Sequence, residues 1–161
     1  MSRATDVAGS VSPARPIRVL HVDDDEAILD LTAEFVERAD DRLTVRSVSD
    51  PRSVPALLRT EPVDCVVTDK RMPECDGLEL CRRVREAHPD LPVVVFTSER
   101  GADVAERARA AGATDYVAKS PGVEQYEVLT DRIRAAVRDQ GDERGDGSDV
   151  PGAFSGPYST A

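Results

Sequence analysis

"VVTDKRMPECDG", residues 66–77, begins as a buried strand should and then stops behaving like one. Val66, Val67 and Thr68 lead into Asp69, an acid placed where an apolar run meets solvent. A Met-Pro pair and an Asp-Gly pair follow, and both are turn signals. The stretch therefore sets a carboxylate at the tip of a strand and stiffens the loop beyond it.

Similar apolar runs recur on either side. "IRVLHV" (17–22), "LTVRSV" (43–48), "DCVVTD" (64–69), "LPVVVFT" (91–97) and "TDYVAK" (114–119) read as five strands. The third and fourth are almost continuously apolar, as central parallel strands covered on both faces must be. Arg46 and Ser47 interrupt the second, which suits a sheet edge. Helical 3/4 spacing lies between the runs: Ile28, Leu31, Phe35 and Ala39; Leu80, Val84 and Ala87; Val104, Ala108 and Ala111; Tyr126, Leu129, Ile133 and Val137. Residues 51–60 form a weaker helix pattern because of Pro55, and Gly112 is placed as a helix stop.

Strands alternating with helices require right-handed crossovers and a parallel sheet. The expected fold is a single α/β domain, a flavodoxin-like doubly wound five-stranded sheet of order 2-1-3-4-5 with five helices. Ligands of such sheets bind beyond the carboxyl ends of the strands, where the order reverses. The residues due at that rim are Asp23, Asp24, Asp25 and Glu26 after the first strand and Asp69 after the third. Thr97 and Ser98 follow the fourth, and Lys119 the fifth. Converging carboxylates repel one another, and a hard divalent cation relieves that repulsion. Oxygen ligands with room left for water favour Mg²⁺. A plainer account also exists: an acid after a strand often caps the next helix. Capping explains Asp25 well and Asp69 poorly, because "KRMP" is no helix start.

The 161 residues carry a net charge of −10, which disfavours nucleic acid and anionic membranes as direct partners. Lysine occurs only at 70 and 119, all other basic residues being arginine. Abundant acid with little lysine suits a salt-rich cytoplasm, and a GC-rich genome would produce the same bias. Cys65, Cys75 and Cys81 form no C-x-x-C pair, so neither a zinc site nor a disulfide framework is indicated, and free thiols suit a reducing interior. No apolar run reaches the length of a membrane span, and a cytoplasmic location is expected. Residues 1–16 and 140–161, rich in Ser, Gly, Pro and Asp, read as disordered tails around a domain at 17–139.

"VDDDE", "VVTDKRMPECDG", "VVVFTS" and "DYVAK", in this order and spacing, resemble the signature of response-regulator receiver domains over residues 17–138. The resemblance implies that Asp69 is the phosphoacceptor. It implies that Asp24 binds Mg²⁺ directly, that Asp23 assists, and that Asp69 and the backbone carbonyl of Arg71 complete the protein's ligands. Thr97 and Lys119 would contact the phosphoryl group, and Thr97 with Tyr116 would form the switch. Implied partners are a histidine kinase or phosphotransfer protein and a downstream protein. The latter would be met by the fourth helix, fifth strand and fifth helix; a twin subunit is a further option. Self-phosphorylation and self-dephosphorylation would be the only chemistry, so the chain would be a stand-alone regulatory domain rather than an enzyme.

The match has one departure. The family usually has proline in a cis peptide directly after the lysine, and here Ser120 intervenes. A cis bond there would cost about 2.5–4 kcal/mol, so a rearranged or strained loop is expected. "KSPGVEQYEVLTDRI" resembles receivers of haloarchaeal regulators. Arg71 and Glu99, each two residues past a site residue, are expected to pair over the phosphate and slow its hydrolysis. Three rivals stand beside the receiver. A dehalogenase-type phosphatase wants a second Asp at 71, where Arg stands; a nucleotide-binding fold wants glycine in "VDDDEAI", which has none. A degenerate pseudo-receiver would keep the fold as a binding module alone.

Overall fold

The computed structural model describes residues 15–146 other than 74, with only the backbone path for 141–146. Both predicted tails fall largely outside these residues. Five parallel strands form the sheet: β1 (Ile17–Val22), β2 (Leu43–Val48), β3 (Cys65–Thr68), β4 (Val93–Thr97) and β5 (Asp115–Ala118). Their spatial order is β2-β1-β3-β4-β5, so the predicted order holds and reverses between β1 and β3.

The helices are α1 (Glu26–Ala39), α2 (Val54–Thr60), α3 (Gly77–Ala87), α4 (Ala102–Ala110) and α5 (Glu124–Asp146). Pro55 lies in the first turn of α2, behind a 3₁₀ turn at Pro51–Ser53, where its missing N–H breaks no helical bond. One boundary needs correcting. α5 continues to Asp146, beyond the expected domain end at 139. Its first half is held by a buried stripe of Tyr126, Leu129, Ile133 and Ala136. The polar "DQGDERGD" that follows keeps the helix going with no such stripe.

Alternation along the strands divides the core in two. Leu20, Val22, Val66 and Val95 pack with Val54, Leu80, Cys81, Val84 and Ala108 beneath α2, α3 and α4. Ile17, Val19, Val67, Val94 and Phe96 pack with Val36, Leu129 and Ile133 beneath α1 and α5. β3 and β4 are buried throughout, as their unbroken valines require, whereas Arg46 and Ser47 of the edge strand β2 are exposed. Cys65 and Cys81 are buried and all three cysteines are free. No helix among the described residues is long and apolar enough to cross a membrane.

Candidate functional site at the carboxyl rim of the sheet

Each rim residue is one rung past the end of its strand, and the sheet's own hydrogen bonding reaches out to hold it. Asp23 N–H donates to Val48 O at 3.1 Å, Asp69 N–H to Val22 O at 3.2 Å, and Lys119 N–H to Thr97 O at 2.8 Å. Three chain segments far apart in sequence thus arrive with fixed backbones. Asp69 lies just after β3, which ends at Thr68 rather than at the acid itself.

Behind Asp69 the turn closes tightly. Gly77 N–H donates to Lys70 O at 2.7 Å. A Cβ on Gly77 would fall 1.7 Å from Asp69 O and 2.9 Å from Lys70 Cα. The Asp-Gly pair therefore lets the start of α3 press directly on the backbone that carries the acid. Asp76 caps that helix by accepting from Leu78 N–H at 2.9 Å. In between, Arg71–Met72 pairs antiparallel with Cys75–Asp76, which the turn signals alone did not foretell.

Side chains complete the convergence. Oxygens of Asp23, Asp24 and Asp69 lie within 4.8 Å of one another. Asp23 is fully buried, Asp69 half-buried and Asp24 exposed. Lys119 Nζ donates to Asp23 Oδ2 at 2.8 Å and lies 3.3 Å from Asp69 Oδ2, with its ammonium 5.6 Å from the Phe96 ring centroid. Asp23 Oδ1 accepts from Asp25 N–H at 2.9 Å, and Asp69 Oδ1 from Lys70 N–H at 2.7 Å. Asp25 is the N-cap of α1, accepting from Ala27 and Ile28 N–H, as its capping assignment required.

The electrostatics follow from burial and charge count. Burial pushes the Asp23 carboxyl above the usual carboxylate range, partly offset by Lys119 and the Asp25 N–H, while the charge on Asp69 pushes it further up. Burial works to lower the Lys119 ammonium, but its bonds and attraction to Asp23 and Asp69 outweigh this and raise it. One ammonium faces three acids, so the pocket retains an excess of negative charge. Hard oxygen donors at this spacing, with an uncompensated charge, fit Mg²⁺.

Thr97 is buried at the end of β4, and its Oγ1 accepts from Glu99 N–H at 3.3 Å. Tyr116 is half-buried, and its hydroxyl donates to Glu99 O at 2.5 Å. Arg71 and Glu99 do pair. Sequence reasoning missed their third member, Lys70, whose buried ammonium lies 3.2 Å from the same carboxylate. Its signal was rarity, since it is one of two lysines and adjoins Asp69. Among the described residues no peptide bond is cis, so the Lys119–Ser120 loop is rearranged rather than cis.

Residues 19–133 match the family model described as the response regulator receiver domain. The chain belongs to that family. Two curated relatives set the scale of the likeness. Response regulator MprA of Mycolicibacterium vanbaalenii is 33% identical over 140 residues, covering 87% of this chain and 58% of that protein. A protein-glutamate methylesterase/protein-glutamine glutaminase of Methylobacillus flagellatus is 34% identical over 130 residues, covering 76% of this chain and 36% of the other. This receiver chain thus spans from about a third to somewhat over half the length of these relatives. Among solved structures, a CheY-like receiver domain protein of Methanospirillum hungatei superposes with a TM-score of 0.70 at 24% identity, over 80% of this chain and 98% of that one. CheY4 of Vibrio cholerae gives 0.65 at 24%, over 73% and 98% respectively. Receiver domains are phosphoacceptor modules of two-component signalling, and Mg²⁺ binding at an acidic pocket is general to the family.

Proposed function

We propose that this receiver accepts a phosphoryl group on Asp69 from a histidine kinase or phosphotransfer protein and, as a cytoplasmic switch, passes the signal to a protein partner. The observation that carries it is the Lys119 ammonium spanning Asp23 and Asp69 at 2.8 and 3.3 Å. A carboxylate oxygen of Asp69 attacks phosphorus in line, the P–N bond to the donor imidazole breaks, and the imidazole leaves with its electron pair. The product is an acyl phosphate, which water later cleaves to restore the carboxylate.

For this chain the work is positioning and charge neutralisation. The β3 backbone and Gly77 fix Asp69, and Lys119 stabilises the equatorial oxygens of the phosphoryl group. Asp23, Asp24, Asp69 and the carbonyl of Arg71 would hold Mg²⁺, which when bound neutralises charge on the phosphoryl oxygens. Thr97 and Lys119 can each make a charge-assisted bond to the new group, worth roughly 1.5–3 kcal/mol apiece. Inverting a two-state population takes about 5.5 kcal/mol, so the two contacts together are close to sufficient.

The Thr97 hydroxyl and the Tyr116 hydroxyl both engage Glu99, on the loop after β4. Drawing Thr97 toward the phosphoryl group therefore pulls on the residue that Tyr116 holds. This supports Thr97 and Tyr116 as the switch, and the face of α4, β5 and α5 as the surface read by a target protein or a second copy.

Intact-mass measurement after incubation with Mg²⁺ and acetyl phosphate tests the proposal. Wild type gains about 80 Da, one phosphoryl group, and Asp69→Asn gains nothing. A wild type that stays unmodified leaves only a phosphorylation-independent binding module, and steady release of phosphate over many turnovers indicates a phosphatase.

A further inference from the structure

Lys119 enters the pocket from a loop that lacks the family's adjoining proline, yet its backbone is fixed at three successive polar groups. Its N–H donates to Thr97 O at 2.8 Å, and its carbonyl accepts from Arg100 Nη2 at 2.9 Å. The next N–H, that of Ser120, donates to Gln125 Oε1 at 3.2 Å. Proline could not make this last bond, because it has no N–H. The same Gln125 amide donates through Nε2 to Gly122 O at 2.8 Å, so one side chain grips the loop on both sides of Pro121. Gly122 turns the chain there with φ +92°, a conformation that suits glycine.

Gln125 is itself well anchored. It is only 9% exposed and lies in the first turn of α5, next to the buried Tyr126, which packs edge-on to Phe96 and flat on Phe35. A core-packed helix thus carries an amide whose only bonds among the described residues go to the loop holding Lys119.

We propose that Gln125, with Arg100, is a positioning residue. It sets the Lys119 ammonium between Asp23 and Asp69 by clamping a trans loop, the task the adjoining cis proline would otherwise perform. Its consequence for catalysis rests on Asp69 being the phosphoacceptor; the placing of the ammonium does not.

The two lysines allow both points to be tested separately. Limited acetylation of the full chain, followed by peptide mass analysis, reports Lys119 against Lys70, whose Glu99 pair is remote from Gln125 in sequence and serves as the reference. Gln125→Met, of equal length without polar bonds, is expected to raise the Lys119-to-Lys70 labelling ratio several-fold, up to about tenfold, the scale of one lost hydrogen bond. Gln125→Glu, which keeps the acceptor for Ser120 but loses the donor to Gly122 O, gives a ratio between those of wild type and Gln125→Met. Phosphorylation of Gln125→Met by acetyl phosphate slows by a similar factor while its Mg²⁺ affinity is retained. An unchanged ratio in Gln125→Met overturns the clamp, and so does a parallel rise at both lysines, which marks general loosening. An altered ratio in a protein whose wild type cannot be phosphorylated upholds the clamp and removes the assignment of Asp69.

Discussion

The two ends of the sheet use polar groups in opposite ways. At the amino end, polar side chains finish the backbone: Asp64 accepts from Arg18 N–H at 2.8 Å, and Arg85 donates to Leu91 O at 2.6 Å. Thr114 likewise accepts from Val93 N–H at 3.2 Å. Asp64 and Leu91 also line a cavity of about 360 Å³ bordered by Leu58, Val63, His88 and Val137. At the carboxyl end, Asp23 and Asp69 share one ammonium, and the buried carboxyl is held above its ordinary range. One end is spent on stability. The other accepts an electrostatic cost that an arriving divalent cation would relieve.

Lys119→Met should divide the two ends most sharply. Loss of a single preorganised donor to a developing charge costs roughly 100-fold in rate or more, so phosphorylation by acetyl phosphate should slow by about that factor. Titration calorimetry should show tighter Mg²⁺ binding in the same variant, because the ammonium no longer competes for Asp23 and Asp69. A rate close to wild type would make the carboxyl end as structural as the amino end.

A smaller effect concerns His21, which lies beneath the acids with neither ring nitrogen partnered among the described residues. Burial first, and then the nearby Lys119 charge, lower its pKa from 6.5 to about 3. The unfolded chain therefore takes up this proton near neutrality while the folded chain refuses it. The stability His21 permits is complete above pH 6.5 and is lost as pH falls toward 3. Between pH 7 and pH 5 this residue should cost about 2 kcal/mol, and His21→Leu should abolish that slope in urea unfolding. Parallel slopes for the two proteins would mean that the imidazole is hydrated.

The smallest expected change belongs to the amino end. Asp64→Ala should lower stability by about 1 kcal/mol in urea unfolding and leave the phosphorylation rate untouched. A slower rate would show that the two ends communicate.

The strands were legible because burial on both faces demands unbroken runs such as Val93–Val95, and period alone reports that. The acids, Thr97 and Lys119 were legible because the order of strands dictates which ends adjoin. The tail of α5 was not, since the residues after 139 carry no apolar stripe from which a helix could be read. Nor were the Lys70–Glu99 pair and the Gln125 clamp. Each joins a polar side chain to a loop, and polar residues carry no periodicity that records where they point.

Gly77 leaves a practical legacy for anyone who wishes to toughen this molecule. Exchanging glycine for alanine within a helix is a standard route to a sturdier protein, but here the added methyl would displace the main chain that presents Asp69. Improvement must be sought on outlying skin such as Leu31 or Val123, well clear of that joint.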